Sequence, residues 1–263
     1  MLDRLKAAWR AGSEHTISLV AAGIAYYALL ALVPALGATV LGYGLFVSPE
    51  TVVRHIERLT DLLPPSAASL IGDQLQQISS ASGASTGIGL IFALGLALFG
   101  ARGAAKALLT GFGIVFESEE SRGFVRGNLV ALAITFAGAA GLIGLAALLA
   151  ASAALPGPVA PLVGLLLLGL SATAGAMLLY RYAPPQAEPQ WSAALRGALV
   201  FTGLWIAATA GFAFYAANFA DYNATYGSLG AVVALLTWFW ASGFALLLGA
   251  ELVVQDSRAH GDS

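Results

Sequence analysis

Charged residues are scarce in this chain of 263 residues, of which 10% are Asp, Glu, Lys or Arg and 59% are apolar. Soluble domains carry roughly 25% charged and about 45–50% apolar residues, so an ordinary soluble domain is excluded. The 12 basic and 14 acidic side chains nearly balance, whereas nucleic-acid-binding proteins show a clustered excess of Lys and Arg. The composition indicates an integral membrane protein without a nucleic-acid partner.

Residues that carry common enzyme chemistry are also missing. The chain has no cysteine, which excludes disulfides and thiolate metal sites. Its histidines, His15, His55 and His260, are dispersed and show no metal-ligand spacing. No Walker loop is present. Residues 83–87 match the nucleophile-elbow pattern by letter, but they lead into an apolar segment and not through a strand-to-helix turn. We therefore predict no enzyme activity, cofactor or metal.

What the chain does contain is a series of long apolar runs. The last one carries no charge from Leu229 to Ala250 and stops at Glu251. About 20 residues in a helix cross the ~30 Å hydrocarbon core. We predict a single all-α integral membrane domain with six transmembrane helices, over residues 17–46, 86–108, 128–152, 159–180, 197–217 and 228–254.

The first two spans depart from the simple pattern. Residues 17–46 exceed the core thickness, and Pro34 removes a backbone hydrogen bond inside this span. A kink is expected there, either static or acting as a hinge. In the second span only about 16 uncharged residues precede Arg102, too few to cross a bilayer. Arg102 and Lys106 should reach the interface from the far end of this span, with a re-entrant segment as the alternative.

Two amphipathic regions accompany the spans. In residues 1–16, Leu2, Leu5 and Trp9 recur at helical spacing among basic residues, which predicts a helix lying on the cytoplasmic headgroups. Residues 48–85 predict a periplasmic hairpin of two amphipathic helices. The hairpin could be a lid, a docking surface for a partner or a passive cover.

The loops between the spans differ in basic residues. All Lys and Arg residues except Arg54 and Arg58 fall on one side. The positive-inside rule therefore places both termini in the cytoplasm and the hairpin outside. Trp9, Tyr180 and Tyr182 are among the residues expected to form an aromatic belt at the inner interface.

Glu251 is the first candidate for a functional residue. Counting about 20 residues from Leu229 puts the inner edge of the hydrocarbon near Leu248, about one turn before Glu251. Glu251 would then belong to a polar cluster at an inner mouth, form a structural salt bridge, or be a carboxylate that reaches water. The basic residues expected at a similar depth are Arg102, Lys106, Arg126 and Arg181.

Aromatic residues near the predicted midplane form the second candidate group. Tyr26 and Tyr27 start about ten residues into the first span, and Trp238 and Trp240 about ten into the sixth, away from the interfaces where such residues concentrate. They could line a cavity or pack between helices. The predicted path or gate comprises Tyr26, Tyr27, Pro34, Trp238 and Glu251.

No charged residue is predicted deep within any span. Ion-coupled transporters usually keep such a residue in the membrane, so this pattern counts against a coupled antiporter. It is compatible with transport of an amphiphile, or with a scaffold role without transport.

Two motifs bear a family resemblance. The first span runs from Ala21 through Tyr26-Tyr27 to Pro34, and the last span is framed by Tyr226-Gly227-Ser228 and Gly249-Ala250-Glu251. These segments and the spacing of the spans resemble the YihY/virulence factor BrkB family of bacterial inner-membrane proteins. The segment containing Glu119, Glu120, Arg122 and Phe124 is similar to the charged loop of that family. Where the family carries an Asn at the end of the second span this chain has Gly113, so no role of that Asn is carried over.

The resemblance implies a multi-pass protein of the bacterial inner membrane, with export of a lipid-like or small solute among the implied functions. Some members carry a ribonuclease label. A structural or partner-binding envelope protein is the alternative. We expect membrane lipids as partners. Small-residue pairs such as Ala137/Gly141 and Ala207/Gly211 leave a homo-oligomer open.

Overall fold

A computed structural model describes residues 2–44, 85–118, 124–152, 155–156, 159–184, 189–218 and 228–261. The predicted hairpin lies outside these ranges, apart from Ser85. Every element in the described ranges is an α-helix. The helices are α1 Leu2–Glu14, α2 Ile17–Gly44, α3 Ser85–Val115, α4 Phe124–Ser152, α5 Val159–Tyr182, α6 Trp191–Asn218 and α7 Ser228–Gly261.

Within the described ranges, five helical stretches are long and apolar enough to cross a membrane: Ile88–Val115, Val125–Ser152, Val159–Tyr182, Trp191–Tyr215 and Val232–Arg258. Asp3–Glu14 and Ile17–Leu32 meet at a bend of 71° and make a sixth if the pair is one span. Large apolar side chains such as Leu142 and Ile143 of α4 point outward, as expected of residues facing lipid. The protein is an all-α, multi-pass membrane protein.

Two helices extend further than the sequence pattern predicts. We expected the second span to end at residue 108, but α3 continues to Val115, because apolar and small residues follow Lys106. Arg102 and Lys106 therefore lie inside the apolar stretch and not at its end. The last helix continues past residue 254 to Gly261. The helix α2 runs through Pro34.

The chain divides into two compact units. The first comprises Met1–Ile24, Ala104–Ala208 and Trp240–Ser263, and the second Ala25–Gly103 and Thr209–Phe239. In the first unit, Phe112, Tyr180 and Leu247 are fully buried in a hydrophobic core. In the second unit, a Cβ added at Gly100 would lie 2.7 Å from the Cα atom of Ala31, so α2 and α3 are in backbone contact there.

Glycines also bring α6 and α7 together within the first unit. A Cβ added at Gly197 would lie 2.5 Å from the carbonyl oxygen of Gly249. Such an approach is open only to residues without a Cβ, and small residues commonly allow it between membrane helices. This contact positions the last turns of α7, which carry Glu251 and Asp256.

Candidate functional site

The turn between α1 and α2 places a histidine against α7. Thr16 adopts a left-handed backbone with φ of 52°, which is an outlier for a β-branched residue. This conformation ends α1 and turns the chain through the 71° bend. The preceding residue, His15, is thereby held beside Glu251, with its Nδ1 atom 2.7 Å from Oε1 of the carboxylate. A hydrogen bond of this length between imidazole and carboxylate is strong.

The end of α3 delivers a second carboxylate to the same histidine. The N–H groups of Glu117 and Ser118 donate to the carbonyls of Ile114 and Gly113, at 3.1 and 3.0 Å. This pairing is a Schellman motif, whose left-handed position is usually glycine. Glu117 occupies that position with φ of 48°. Its Oε1 atom lies 3.7 Å from Nε2 of His15.

Glu117 also meets the end of α7. Nη2 of Arg258 donates to Oε1 of Glu117 at 2.8 Å, and this hydrogen bond, with the charge of the guanidinium, holds the pKa of Glu117 below its ordinary value. Glu117 is therefore ionised at neutral pH. Within the described ranges no group of three or more His, Asp or Glu side chains has metal-binding geometry.

A second buried carboxylate, Asp256, lies on the same helix as Glu251. Arg4 of α1 forms an ion pair with its Oδ1 atom, and Nε of Arg196 of α6 lies 2.7 Å from its Oδ2 atom. Asp256 is only 2% exposed, whereas the two arginine side chains are 41% and 36% exposed. These pairs tie α1 and α6 to the end of α7.

We call this group of residues the carboxylate network. It consists of Arg4, His15, Glu117, Arg196, Glu251, Asp256 and Arg258. All of its members belong to the first unit. The network combines two buried acids with partners that reach the surface.

Tyr180 supports the network from the apolar side. Its hydroxyl donates to the carbonyl oxygen of Leu246 at 2.8 Å, and its ring packs edge-on against Phe112. Tyr180 is fully buried, so its assignment to an interfacial aromatic belt was wrong. Of the other predicted belt residues, Trp9 and Tyr182 are exposed.

The structure pairs Glu251 with different residues from those that we predicted. Its partner is His15, and none of the four predicted basic residues contacts it among the described residues. Arg181 instead donates to the carbonyl of Pro189 at 2.6 Å, with its guanidinium 5.6 Å from the Trp191 ring centre. The remaining predicted members lie elsewhere on their helices: Arg102 and Lys106 in α3 and Arg126, exposed, at the start of α4.

Of the predicted midplane aromatics, Trp238 and Trp240 form hydrogen bonds to neighbouring helices. In the second unit, the Tyr26 and Tyr27 rings are in edge contact, and Nε1 of Trp238 donates to Thr209 Oγ1 at 3.1 Å. In the first unit, Nε1 of Trp240 donates to the carbonyl of Ser18 at 3.1 Å. Satisfied indole N–H groups favour the packing interpretation for both tryptophans, while Tyr26 is exposed.

Six of the seven network residues were missed as site residues at the sequence level, among them His15, Glu117 and Asp256. His15 contacts a residue 236 positions away, and no local pattern signals that contact. Glu117 appeared to be an ordinary loop residue. Asp256 did carry a signal, since it is a second acid in the helical continuation of an apolar run, followed by Arg258.

The strained backbone at Glu117 leads to a stability prediction. A non-glycine residue in the left-handed region costs about 1–2 kcal/mol. We expect Glu117→Gly to be more stable to unfolding than the matched variant Glu117→Ala by about 1 kcal/mol, because both lose the carboxylate and only glycine relieves the backbone. Unfolding midpoints in mixed micelles would check this. Equal stability of the two variants would contradict the assigned strain.

Comparisons with known proteins bear on the whole chain. The family model described as virulence factor BrkB matches residues 8–262. A ribonuclease-like protein, YfkH of Bacillus subtilis, is 31% identical over 88% of this chain and 86% of its own length. Proteins described as UPF0761 membrane proteins, from Laribacter hongkongensis and Pseudoalteromonas translucida, are 26% and 28% identical, over 97% and 91% of this chain. The chain covers 61% and 81% of their lengths. No solved structure gives a significant match.

Proposed function

This chain belongs to the virulence factor BrkB family, and from that premise we propose that it transports or exports a lipid-like molecule or a small solute. The protein is a multi-pass protein of the bacterial inner membrane. In the proposal, the carboxylate network acts as the gate.

The observation that carries the proposal is the burial of two acids inside one apolar stretch. Glu251 and Asp256 are 0% and 2% exposed, and both lie in Val232–Arg258. Burying a charge costs several kcal/mol, and apolar residues in place of a buried ion pair are often equally or more stable. Ionisable residues retained in a membrane segment therefore indicate a functional site by default.

The composition of the network supports a gate that opens and closes. The partners of the two acids come from three separate segments: α1, the α1–α2 turn and the start of α6. Arg4 and Arg196 are partly exposed, so each guanidinium can leave the carboxylate and be solvated by water instead of remaining unpaired in an apolar environment. Paired charges would hold these segments together, and separated charges would release them.

The second unit supports an amphiphilic substrate. Among its described residues the only charged side chain is Arg102, and the exposed surface includes Tyr26 together with large apolar residues. An amphiphile could pass its polar head along hydroxyl groups while its tail remains in lipid. A strongly charged hydrophilic solute would find few compensating groups there.

We further propose that the chain is not a nuclease, although one relative is named ribonuclease-like. Both ring nitrogens of His15 face carboxylates, and Glu251 is fully buried. A histidine that acts on a phosphodiester must approach the reacting atoms to within hydrogen-bond distance. The purified protein should therefore leave RNA intact, and cleavage lost in His15→Ala would contradict this proposal.

A lipid-movement assay tests transport of the lipid-like substrate class directly. Proteoliposomes would carry a fluorescent phospholipid, and a membrane-impermeant quencher would report its passage between leaflets. We expect the wild-type protein to accelerate this passage. We expect Glu251→Gln to change the rate by about tenfold or more, since a hydrogen bond to a charged group contributes about 1.5–3 kcal/mol.

Glu14→Gln is the matched control, because it removes an exposed carboxylate near the same turn. It should leave the rate unchanged. Native mass spectrometry of the protein released in mild detergent would show whether a lipid co-purifies and is lost in Glu251→Gln. No movement and no bound lipid, or a folded Glu251→Gln protein with the wild-type rate, would favour a structural or partner-binding role instead.

A further inference from the structure

Three titratable side chains of the carboxylate network form a line from the protein interior to the surface. Glu251 is 0% exposed, His15 is 22% exposed and Glu117 is 55% exposed. Nδ1 of His15 lies 2.7 Å from Glu251, and Nε2 lies 3.7 Å from Glu117. The imidazole therefore has a carboxylate on each side, one buried and one reached by water.

The buried carboxylate has capacity to bind a proton. Glu251 Oε2 is buried and has no hydrogen-bond partner among the described residues. An ionised carboxylate accepts several hydrogen bonds, and a buried one that makes few is costly in its charged form. Protonation would remove the charge without moving the helix.

The remaining charges around the pair are compatible with proton movement. From α7, Arg258 faces Glu117 at 2.8 Å and keeps that carboxylate ionised at the surface. From α1, the uncharged Gly12 faces the Cγ atom of Glu251. Within the described residues, Glu251 thus has no arginine or lysine in contact, and its one hydrogen-bonded partner is His15.

We propose that His15 carries protons between the surface at Glu117 and the buried Glu251, and that proton uptake by Glu251 drives or gates the transport. The coupling to transport rests on the proposed function above. The proton site itself does not.

The transfer consumes one proton from water and delivers one proton to Glu251. Neutral His15 begins with a proton on Nδ1, donated to ionised Glu251. A proton from water, attracted by Glu117, binds Nε2 and makes an imidazolium. The Nδ1 proton then moves to Oε1 of Glu251, which leaves neutral His15 protonated on Nε2 and Glu251 uncharged. The 3.7 Å gap to Glu117 needs a small shift of the side chain or one bridging water. Reversal returns the proton to the surface.

Histidine is suited to this role because each of its ring nitrogens can hold or release a proton. A glutamine at the same position keeps polar contacts but cannot be protonated near neutral pH. If His15 were only a structural partner, His15→Gln would affect stability and leave the rate of proton uptake unchanged. Rate and stability therefore separate the two roles.

The test is infrared difference spectroscopy of the full-length protein in detergent during a pH titration and after a rapid pH jump. We expect one buried carboxyl band, from protonated Glu251, that is absent in Glu251→Gln. In His15→Gln, this band should form about 100-fold or more slowly, because positioned proton transfer contributes at least about that factor. Glu117→Gln should slow it less, and the control Glu14→Gln should leave it unchanged.

Two results would overturn the proton site: a wild-type protein with no titrating band removed by Glu251→Gln, or a folded His15→Gln protein with the wild-type rate. The lipid assay with a pH gradient then tests coupling. We expect the gradient to change the wild-type rate and to have no effect on His15→Gln. If the gradient leaves the wild-type rate unchanged, only the coupling is overturned. If the protein shows the band but moves no lipid, only the transport proposal is overturned.

Discussion

The double variant Arg4→Gln/Arg196→Gln is expected to lower the free energy of unfolding by about 3–5 kcal/mol, the usual cost of breaking a buried ion pair from one side. Asp256 is nearly fully buried, and the double variant removes both arginines that form ion pairs with it. The converse variant, Asp256→Asn, should lower the free energy of unfolding by less, because the two arginines are partly exposed and can be solvated by water. Unfolding midpoints in mixed micelles would measure both.

The triple variant Arg4→Gln/Arg196→Gln/Asp256→Asn should recover most of the lost stability, since it also removes the buried negative charge that the two arginines offset. Lys6→Gln/Arg10→Gln is the matched control on α1. It removes two exposed positive charges and should change stability by no more than about 0.5 kcal/mol. If the first double variant is no less stable than this control, or the triple variant is not rescued, Asp256 does not depend on these arginines.

Replacing Gly249 with valine should be similarly damaging, with a loss of about 3 kcal/mol or more. A Cβ at this position would overlap the hydroxyl of Tyr180 and lie 2.8 Å from the carbonyl oxygen of Gly197. The carbonyl is backbone and Tyr180 of α5 is fully buried in the core, so neither can yield unless α7 moves away from α6 and α5. Because these turns of α7 hold the carboxylate network, transport should be lost with stability.

Gly203→Val is the matched control, because a Cβ at Gly203 meets no atom within 4 Å. The same substitution there should change the free energy of unfolding by about 0.5 kcal/mol or less. Combining Tyr180→Phe with Gly249→Val removes the hydroxyl and should restore part of the lost stability. The overlap with the carbonyl of Gly197 would remain. Equal effects of valine at positions 249 and 203 would show that helix propensity, and not the close contact, accounts for the loss.

Local sequence features anticipated the helices but not all of their ends. Apolar runs predict the existence of membrane helices because lipid requires every backbone group to be bonded within its own segment. They are less reliable for ends, as α3 illustrates: Arg102 and Lys106 looked like the boundary of a span, yet the helix passes both and ends at Val115. Helix continuation depends on backbone geometry, which an isolated charge does not interrupt.

Only one residue of the candidate site was predicted from the sequence. Glu251 stood out because it ends an uncharged run, and in the structure it is fully buried. The basic residues chosen as its neighbours share a predicted depth with it. Two residues at the same depth along the membrane normal can lie on different sides of the helix bundle, so they need not touch. Its actual partner, His15, follows from the left-handed turn at Thr16 and the bend that this turn allows.

The sequence by itself determined that this protein lives in a membrane, that it is helical and that it belongs to the BrkB family, because hydropathy and motifs are properties of consecutive residues. The tertiary structure alone decided which charges meet. Packing of α6 on α7 at Gly197 and Gly249 sets the position of Glu251 and Asp256, and partners from distant segments then complete the network. Those contacts join residues up to 252 positions apart, a separation over which no sequence period carries information.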